Sequence, residues 1–575
     1  MRYSTTHPGL NTHYIPYSSS SDNSCFACHG STEDAYITAG HRYQTFGDEI
    51  NELRHLRICH NPECSLFKIP FNPTPPEVSP YKQFSLAVWR WIGEEYKLYN
   101  QNAEQIQSRI ERKFSISISA NTIRNYMKEI DVLMANEIDK RTAKLLAIQG
   151  IIVLALDGQK PDDNGRSLWL FVDLISNRVL KVVLLESADS ETLYTLVESI
   201  LQQFHVKLVG LVSDKQNNLV KLHDDHYQAI PHQYCHFHYL QNIWNHIEVK
   251  DCGLHQTIAQ KVKQLYILKV SKQTKIKFDE LGTLSIREVF KSVEKKLRRL
   301  IIKRNKKFEH LRGVETYDAV AKFVEEIDTQ LIGVDSTRKG NELLLKMAED
   351  LHLALTETKE LYDSCKLLNA HFQKIRKWVG KRTLSKGTML AAGDRITEAL
   401  WESVKGHDNI TSRDDLRSFL PHKNTSYEKI VQEMVRLYDS YRDGLFKYMD
   451  FPIPVPTNSN MEQCFGQEKG RIRQRSGKAN VAMQVRLRGE FELKAIYAGK
   501  EEITEILIDL NPQFNEIELK AGLKTLADRT SIETESWGES NQDVDISEIL
   551  GKINPTPNLN EDSTTKNNGK KQKED

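Results

Sequence analysis

Residues 150–158 read GIIVLALDG, an aliphatic, β-branched run closed by an acid and a glycine. A run this short, opened by Gly150 and rich in isoleucine, predicts a buried strand from Gly150 to Leu156. Three further short β-rich runs follow, at Ser167 to Leu174 (SLWLFVDL), Arg178 to Leu185 (RVLKVVLL) and Lys207 to Val212 (KLVGLV). Between the third and fourth, Ser190 to Gln203 spaces its leucines and Ile200 as a helix does. A second helix is expected after Asp214, and a fifth strand near Gln228 to Tyr234. Strand, strand, strand, helix, strand predicts an α/β sheet that opens as an antiparallel meander and continues with parallel strands.

The first predicted strand ends on Asp157 and the fourth on Asp214, in VSDK. In an open α/β sheet, sites form at the carboxyl ends of strands. Strands one and four are neighbours in this order, so their terminal carboxylates point at one shared volume. Clustered carboxylates repel each other and a divalent cation relieves the repulsion; oxygen ligands favour Mg²⁺ or Mn²⁺. A third acid is expected on a helix beside the sheet. Glu462, in NSNME, is the best placed, sharing a helical face with Phe465, Gly466 and Lys469. A strand-end aspartate is also a common helix cap, and Asp173, Glu186, Asp189 and Glu468 are competing acids. Asp173, inside the second strand, and Asp162 and Asp163, in the turn PDDNG, suit structural roles.

These residues resemble the DDE transposases with an RNase H-like fold. More narrowly, they resemble the branch with a Cys-x-x-His signature after the second Asp, shared by Mutator-like and bacterial insertion-sequence transposases. The matching stretches are Asp157-Gly158, Ser213-Asp214, then Tyr234 to Tyr239 (YCHFHY) with Asn242, and Asn460-Met461-Glu462 followed by Phe465, Gly466, Lys469 and Arg473. The resemblance covers about Gly150 to Lys500. It implies that Asp157, Asp214 and Glu462 are catalytic and hold two Mg²⁺ or Mn²⁺ ions about 4 Å apart. One ion would activate water or a DNA 3′-hydroxyl and the other would stabilise the leaving oxygen, first freeing a transposon end and then joining it to target DNA. It also implies that Cys235 and His238 brace the strand-to-helix turn after the fifth strand. The long stretch between Asp214 and Glu462 resembles the helical insertion domain of that branch.

Other parts of the chain carry expectations of their own. Cys25-x2-Cys28 and Cys59-x4-Cys64 supply four thiolates that can close a structural zinc site, with His29, His41, His55 and His60 as substitute ligands. The string CFACH also fits a haem attachment pattern, but that reading needs export. Residues 102–130 resemble a helix-turn-helix. Ala103, Ile106 and Ile110 form an inner face, Ser115 to Ser119 (SISIS) the turn, Ser119 a cap, and Ile123, Tyr126, Met127 and Ile130 a second inner face. This leaves Asn121, Thr122, Arg124, Asn125 and Lys128 facing out, a polar and basic set suited to a DNA major groove; a plain helical hairpin is the plainer reading. Two runs are strongly basic, Lys295 to Lys307 and Lys469 to Arg488. The second follows Glu462 directly, so Lys469, Arg471, Arg473 and Arg475 are expected on DNA phosphates. Trp378 and Trp401 read as core residues, with base stacking a remote option.

The whole chain has 575 residues and a formal charge of +1, from 79 basic and 78 acidic residues. That balance excludes a uniformly basic protein and leaves a locally basic one open. No run of 18 apolar residues occurs, so no membrane span is expected. Met1 to Ser20 lacks an apolar signal core, and secretion is not expected either. The expected layout is a flexible start (1–23), a zinc-binding module (24–71), a helix-turn-helix domain (81–147), an RNase H-like core in two parts (148–245 and 451–505), a helical insertion (246–450) and an unstructured acidic tail (528–575). The function expected is a DNA transposase. It would act on double-stranded DNA as a homodimer or higher oligomer, in the nucleoid-bearing cytoplasm of a prokaryote or the nucleus of a eukaryote. A non-catalytic DNA-binding regulator derived from such an enzyme, and a metal-dependent DNA nuclease, are the alternatives.

Overall fold

The computed structural model describes residues 11–17, 24–74, 77–78, 82–159, 166–265, 284–302, 308–331, 339–381, 384–407, 410–418, 426–455, 459–512 and 516–542. Asp162 and Asp163, Lys303 to Lys307 and residues 543–575 therefore lie outside the described residues. The chain divides into two compact units: Met1–Asn136 with Arg475–Phe491 and Thr504–Asp575, and Glu137–Gln474 with Glu492–Ile503.

In the first unit, strands β1 (Asn11–Ile15), β2 (Thr32–Ile37), β3 (His41–Gln44) and β5 (Pro70–Phe71) all pair with the eleven-residue β4 (Glu49–Cys59). β1 pairs parallel to Ile50 to Arg54, so the start of the chain is not uniformly loose as its polar composition suggested. Strand pairing at this sequence distance leaves no local signal. Three helices follow. α1 (Leu86–Lys97) is capped by Ser85. α2 (Ala103–Phe114) is opened by a capping box from Asn102 and Gln105 and closed by Ser115 in the left-handed region, φ 56°. α3 (Ala120–Gln149) starts at Ser119, whose Oγ accepts from Thr122 N at 3.0 Å. The proline-rich stretch before α1 is anchored where it is described: Val78 is buried and the Glu77 carbonyl accepts from Leu86 N.

The second unit holds the other sheet, with β6 (Ile151–Gln159), β7 (Ser167–Asp173), β8 (Arg178–Leu185), β9 (Lys207–Ser213) and β10 (His232–Tyr234) in the order β10-β9-β6-β7-β8. β6, β7 and β8 form the antiparallel meander; β9 and β10 run parallel to β6. β6 is central and nearly all buried, which is why its sequence is a continuous apolar run rather than an alternating one. α4 (Ser190–Phe204) covers one face through Leu193, Val197 and Ile200, and α5 (Asn217–His226) adds Leu219 and Leu222 to the same core.

From β10 the chain enters α6 (His236–Gln264) directly. The helices α7 (Leu284–Leu300), α8 (Arg312–Leu331), α9 (Lys339–Val379), α10 (Lys386–Glu402) and α11 (Tyr427–Tyr441) follow. α6, α8 and α9 share an apolar core of Leu254, Ile258, Val262, Val320, Phe323 and Leu351. The sheet and these helices fall in one compact unit. Trp378 and Trp401 are buried, and Trp378 Nε1 donates to the Met389 carbonyl at 2.8 Å, so both belong to the core and neither is free to stack on a base.

α12 (Ser459–Ser476), α13 (Ala482–Asp509, kinked at Gly499) and α14 (Glu516–Gln542) complete the chain. Arg475–Phe491 belongs to the first unit, which splits the expected last core segment of 451–505. The expected tail is helical as far as Gln542. Arg529 there reaches Glu490 at 3.2 Å, an ion pair that composition alone does not reveal.

Candidate active site

Leu156 of β6 is in parallel register with Ser213 of β9, so Asp157 and Asp214 come next along two hydrogen-bonded neighbours. β6 continues past Asp157 to Gln159, and Gly158, paired with Trp169 of β7, admits its indole; a Cβ at 158 would lie 2.7 Å from the ring. α12 turns Met461, Cys464, Phe465, Glu468 and Ile472 inward, at helical spacing, with Glu462 at the edge of that face. Gly466 is exposed and Lys469 half-buried, so the buried face is centred away from the one expected from the sequence. Glu462 meets α6, where His238 Nε2 donates to Glu462 Oε1 at 3.0 Å.

One ligand atom each from Asp157, His238 and Glu462 lies within 4.8 Å of the others. The expected acids Asp157 and Glu462 are thus brought together. Asp214 stands one step aside: its carboxylate accepts from Gln216 N at 3.3 Å and Gln216 Nε2 at 2.5 Å, at the start of α5. His238 is the unexpected member, read from sequence only as a brace. Cys235 is buried, its backbone N donates to the Ser213 carbonyl at 2.8 Å, and its thiol lies beside His238. Asn242 of the same signature donates to Tyr441 Oη at 3.0 Å.

The ionisable groups of the cluster shift one another strongly. Burial pushes Asp157 up to about 8; the His238 charge opposes the shift, and Glu462 and Asp214 add to it. Burial also raises Asp214, against His238 and the Gln216 hydrogen bonds. Burial opposes charge on His238, yet Cys235, Glu462 and Asp157 hold it up to about 11. Asp157 Oδ2 is buried and has no hydrogen-bond partner among the described residues. An unpaired carboxylate oxygen beside a second carboxylate fits a hard divalent cation.

The competing acids have other work. Asp173 is fully buried and accepts from Val153 N, Ile175 N and Ser176 N, fixing the turn after β7. Asp189 caps α4 through Thr192 N, which lowers its pKa, and Glu186 is exposed. Glu468 is wholly buried and accepts from Gln159 Nε2 at 2.9 Å, tying α12 to β6 two residues past Asp157.

His232 on β10 supports the same turn. The Ser213 hydroxyl donates to the Asp214 carbonyl at 2.7 Å and accepts from His232 Nε2 at 2.8 Å, which places a proton on that nitrogen. Burial, with the nearby His223, depresses its pKa to about 3. The folded pKa is below the unfolded value of about 6.5, so the unfolded chain binds the extra proton and stability falls as pH drops through that window. A loss on the order of 2 kcal/mol is expected between pH 7 and pH 5, measured by denaturant unfolding. His232→Gln is expected to flatten that dependence; an unchanged slope would show that His232 is not its source.

In the first unit, Cys25, Cys28, Cys59 and Cys64 converge. The Cys25–Cys64 and Cys28–Cys59 sulfur separations are 3.8 Å and 3.6 Å. A disulfide needs about 2.05 Å, whereas the edge of a sulfur tetrahedron with Zn–S bonds of about 2.3 Å is about 3.8 Å. Backbone N–H groups of Asn61 and Leu66 point at the Cys59 and Cys64 sulfurs, each at 3.4 Å. The Gly30 N–H helps to pull Cys28 down to about 7, while burial pushes Cys59 up to about 12. This cluster can bind zinc. The histidines held in reserve are elsewhere: His41 pairs with the Lys82 carbonyl, His55 with Asp34 and His60 with Glu33, while His29, at φ 56°, forms the turn after Cys28.

Helices α2 and α3 bury Ile106, Ile110, Ile123, Tyr126, Met127 and Ile130 as expected, and leave Asn121, Arg124, Asn125 and Lys128 exposed with Thr122 half-buried. Arg124 pairs with Glu104. The second basic run is less open than expected. Arg473 is exposed, but Lys469 and Arg471 are half-buried, and the Arg475 guanidinium packs over the Tyr96 ring at 4.8 Å. In the first run, Lys296 pairs with Glu326 and Arg298 with Glu294, as on a solvated face.

No helix among the described residues is long and apolar enough to cross a membrane. No protein-family model and no curated protein matches this chain.

Proposed function

We propose that this chain is a DNA transposase of the DDE type, cutting transposon ends and joining them to target DNA with Mg²⁺ or Mn²⁺. The observation that carries the reading is the pairing of Asp157 with Glu462 at the carboxyl end of the central strand, with Asp214 next to them on the neighbouring parallel strand. The meander followed by parallel strands supports an RNase H-like core, and α6 to α11 supply the helical insertion.

In this proposal Asp157, Asp214 and Glu462 hold the cations, which supply Lewis-acid activation of the attacking and leaving oxygens when bound. The chain's own contribution is position. β6 and β9 fix the aspartates by register, α12 presents Glu462, and Gln216 and His238 orient two of the carboxylates. The four-cysteine module and the exposed face of α3 supply DNA-end recognition, and a dimer or higher oligomer brings two ends together.

The test is a cleavage and strand-transfer assay with Mg²⁺ or Mn²⁺ on candidate end sequences taken from the DNA that flanks the gene. Both reactions are expected. Cleavage without joining would identify a nuclease, and binding without either reaction a regulator. For the helix-turn-helix, Lys128→Ala is expected to weaken binding to all sequences and to lower the log–log salt slope by about 1. Asn125→Ala is expected to cost about 1–3 kcal/mol on end DNA and to relax base preference. Unchanged binding of both variants by fluorescence anisotropy would remove α3 from the interface.

A further inference from the structure

We infer that His238 is a cation ligand of this site, supplying its Nε2 beside the oxygens of Asp157 and Glu462, and that the site therefore prefers a transition-metal ion such as Mn²⁺ over Mg²⁺. The inference rests on the carboxylate-site reading and adds to it a nitrogen donor and a metal preference.

His238 Nε2, an Asp157 oxygen and a Glu462 oxygen are mutually within 4.8 Å. In the shell of one ion with bonds of about 2.0–2.2 Å, donors are separated by about 3 Å when adjacent and by just over 4 Å when opposite. Once the cation displaces the Nε2 proton to solvent, the three atoms need only small side-chain adjustments to share one ion. His238 already points its Nε2 at Glu462 Oε1, at 3.0 Å, from the first turn of a helix that leaves the sheet edge directly. Its side chain is 14% exposed, against 34% for Glu462, so the nitrogen faces the site rather than solvent. Asp214, the acid expected in this place, is instead engaged by Gln216. A site of two carboxylates and an imidazole differs in chemical class from an all-carboxylate one. Oxygen donors suit Mg²⁺, whereas an imidazole nitrogen adds affinity for first-row transition ions.

The experiment uses the untagged full chain loaded with Mn²⁺ and examined by pulsed electron paramagnetic resonance. The expected result is a histidine ¹⁴N coupling that changes on ¹⁵N-histidine labelling of the wild-type protein. The coupling should disappear in Asp157→Asn, which shows that it comes from this site and not from a surface histidine. In His238→Gln the coupling should be lost while Mn²⁺ still binds, and the ratio of Mn²⁺ to Mg²⁺ affinity by titration should fall roughly tenfold or more. Mn²⁺ bound in an Asp157-dependent way without nitrogen coupling would overturn the inference and leave His238 as a positioning donor to Glu462. No Asp157-dependent Mn²⁺ binding at all would overturn the inference and the carboxylate-site reading together.

Discussion

Asp157→Asn is expected to abolish DNA cleavage and strand transfer, by roughly a thousandfold or more, while leaving DNA affinity unchanged and the protein at least as stable as the wild type. The activity loss follows from removing the best buried oxygen donor of the site, since bound cations supply several kcal/mol of transition-state stabilisation and each 1.36 kcal/mol is a factor of ten. The stability expectation follows from the environment. Burial, together with the charges of Glu462 and Asp214, pushes Asp157 up to about 8. At pH 7 the carboxyl is therefore held in a form that the unfolded chain does not favour, and it opposes folding. An amide of the same shape carries no such conflict. A cation that binds only the native site raises the melting temperature by mass action, so Mn²⁺ should stabilise the wild type and not the variant. Retained cleavage by the variant would show that the chemistry is elsewhere. A variant that loses both activity and fold would instead make Asp157 a structural residue. DNA affinity should hold because the exposed face of α3 belongs to the first unit and Asp157 to the second.

Most of the sheet was legible because its signals are local. β6 to β9 are short apolar runs between turn residues, and each falls where its pattern predicts. The α2–α3 pair was legible for the same reason: isoleucines at helical spacing on both sides of SISIS can pack only one way. The site was legible as far as register could carry it, which brought out Asp157 and Asp214. His238 was not, because its contact with Glu462 spans 224 positions and no local pattern records a pairing at that range. β1 escaped notice likewise, since its partner is β4. The continuation of α14 past residue 528 was hidden by composition. An acidic, polar stretch reads as unstructured when its long-range partners are not visible, and Arg529 of that stretch meets Glu490 only in the folded chain. The half-buried state of Arg471 and Arg475 has the same origin: a basic run announces charge but not which of its members the fold uses internally.

Removing zinc, or replacing Cys25 or Cys59 with serine, is expected to unfold the β1–β5 module while the β6–β10 sheet stays intact. The module's cluster contains little besides its sulfurs. Cys25, Cys59, Cys64 and Phe71 are buried together, with Tyr17, Cys28 and Leu66 packed against them. A cluster this poor in apolar groups is organised around its sulfurs, and small modules built on such clusters depend on a metal or cross-links. Zinc bound by four thiolates contributes about 10–16 kcal/mol in small metal-folded peptides, more than the whole stability of a typical domain. Its loss therefore unfolds the module rather than loosening it. Elemental analysis of the full chain should find one zinc per molecule. A strong chelator should release it, expose four further thiols to a thiol reagent, and abolish amide protection across residues 32–59 while leaving residues 151–213 protected. Three of the other four cysteines serve as an internal control, Cys252 being only half-buried. Cys235, Cys365 and Cys464 are buried, and burial pushes Cys365 up to about 12, so they should stay unreactive before and after chelation. Less than one zinc per chain, or unchanged protection after its removal, would mean that the four sulfurs converge for packing alone. DNA-end binding should be lost together with the zinc if the module reads the ends, and should survive its removal if α3 alone does.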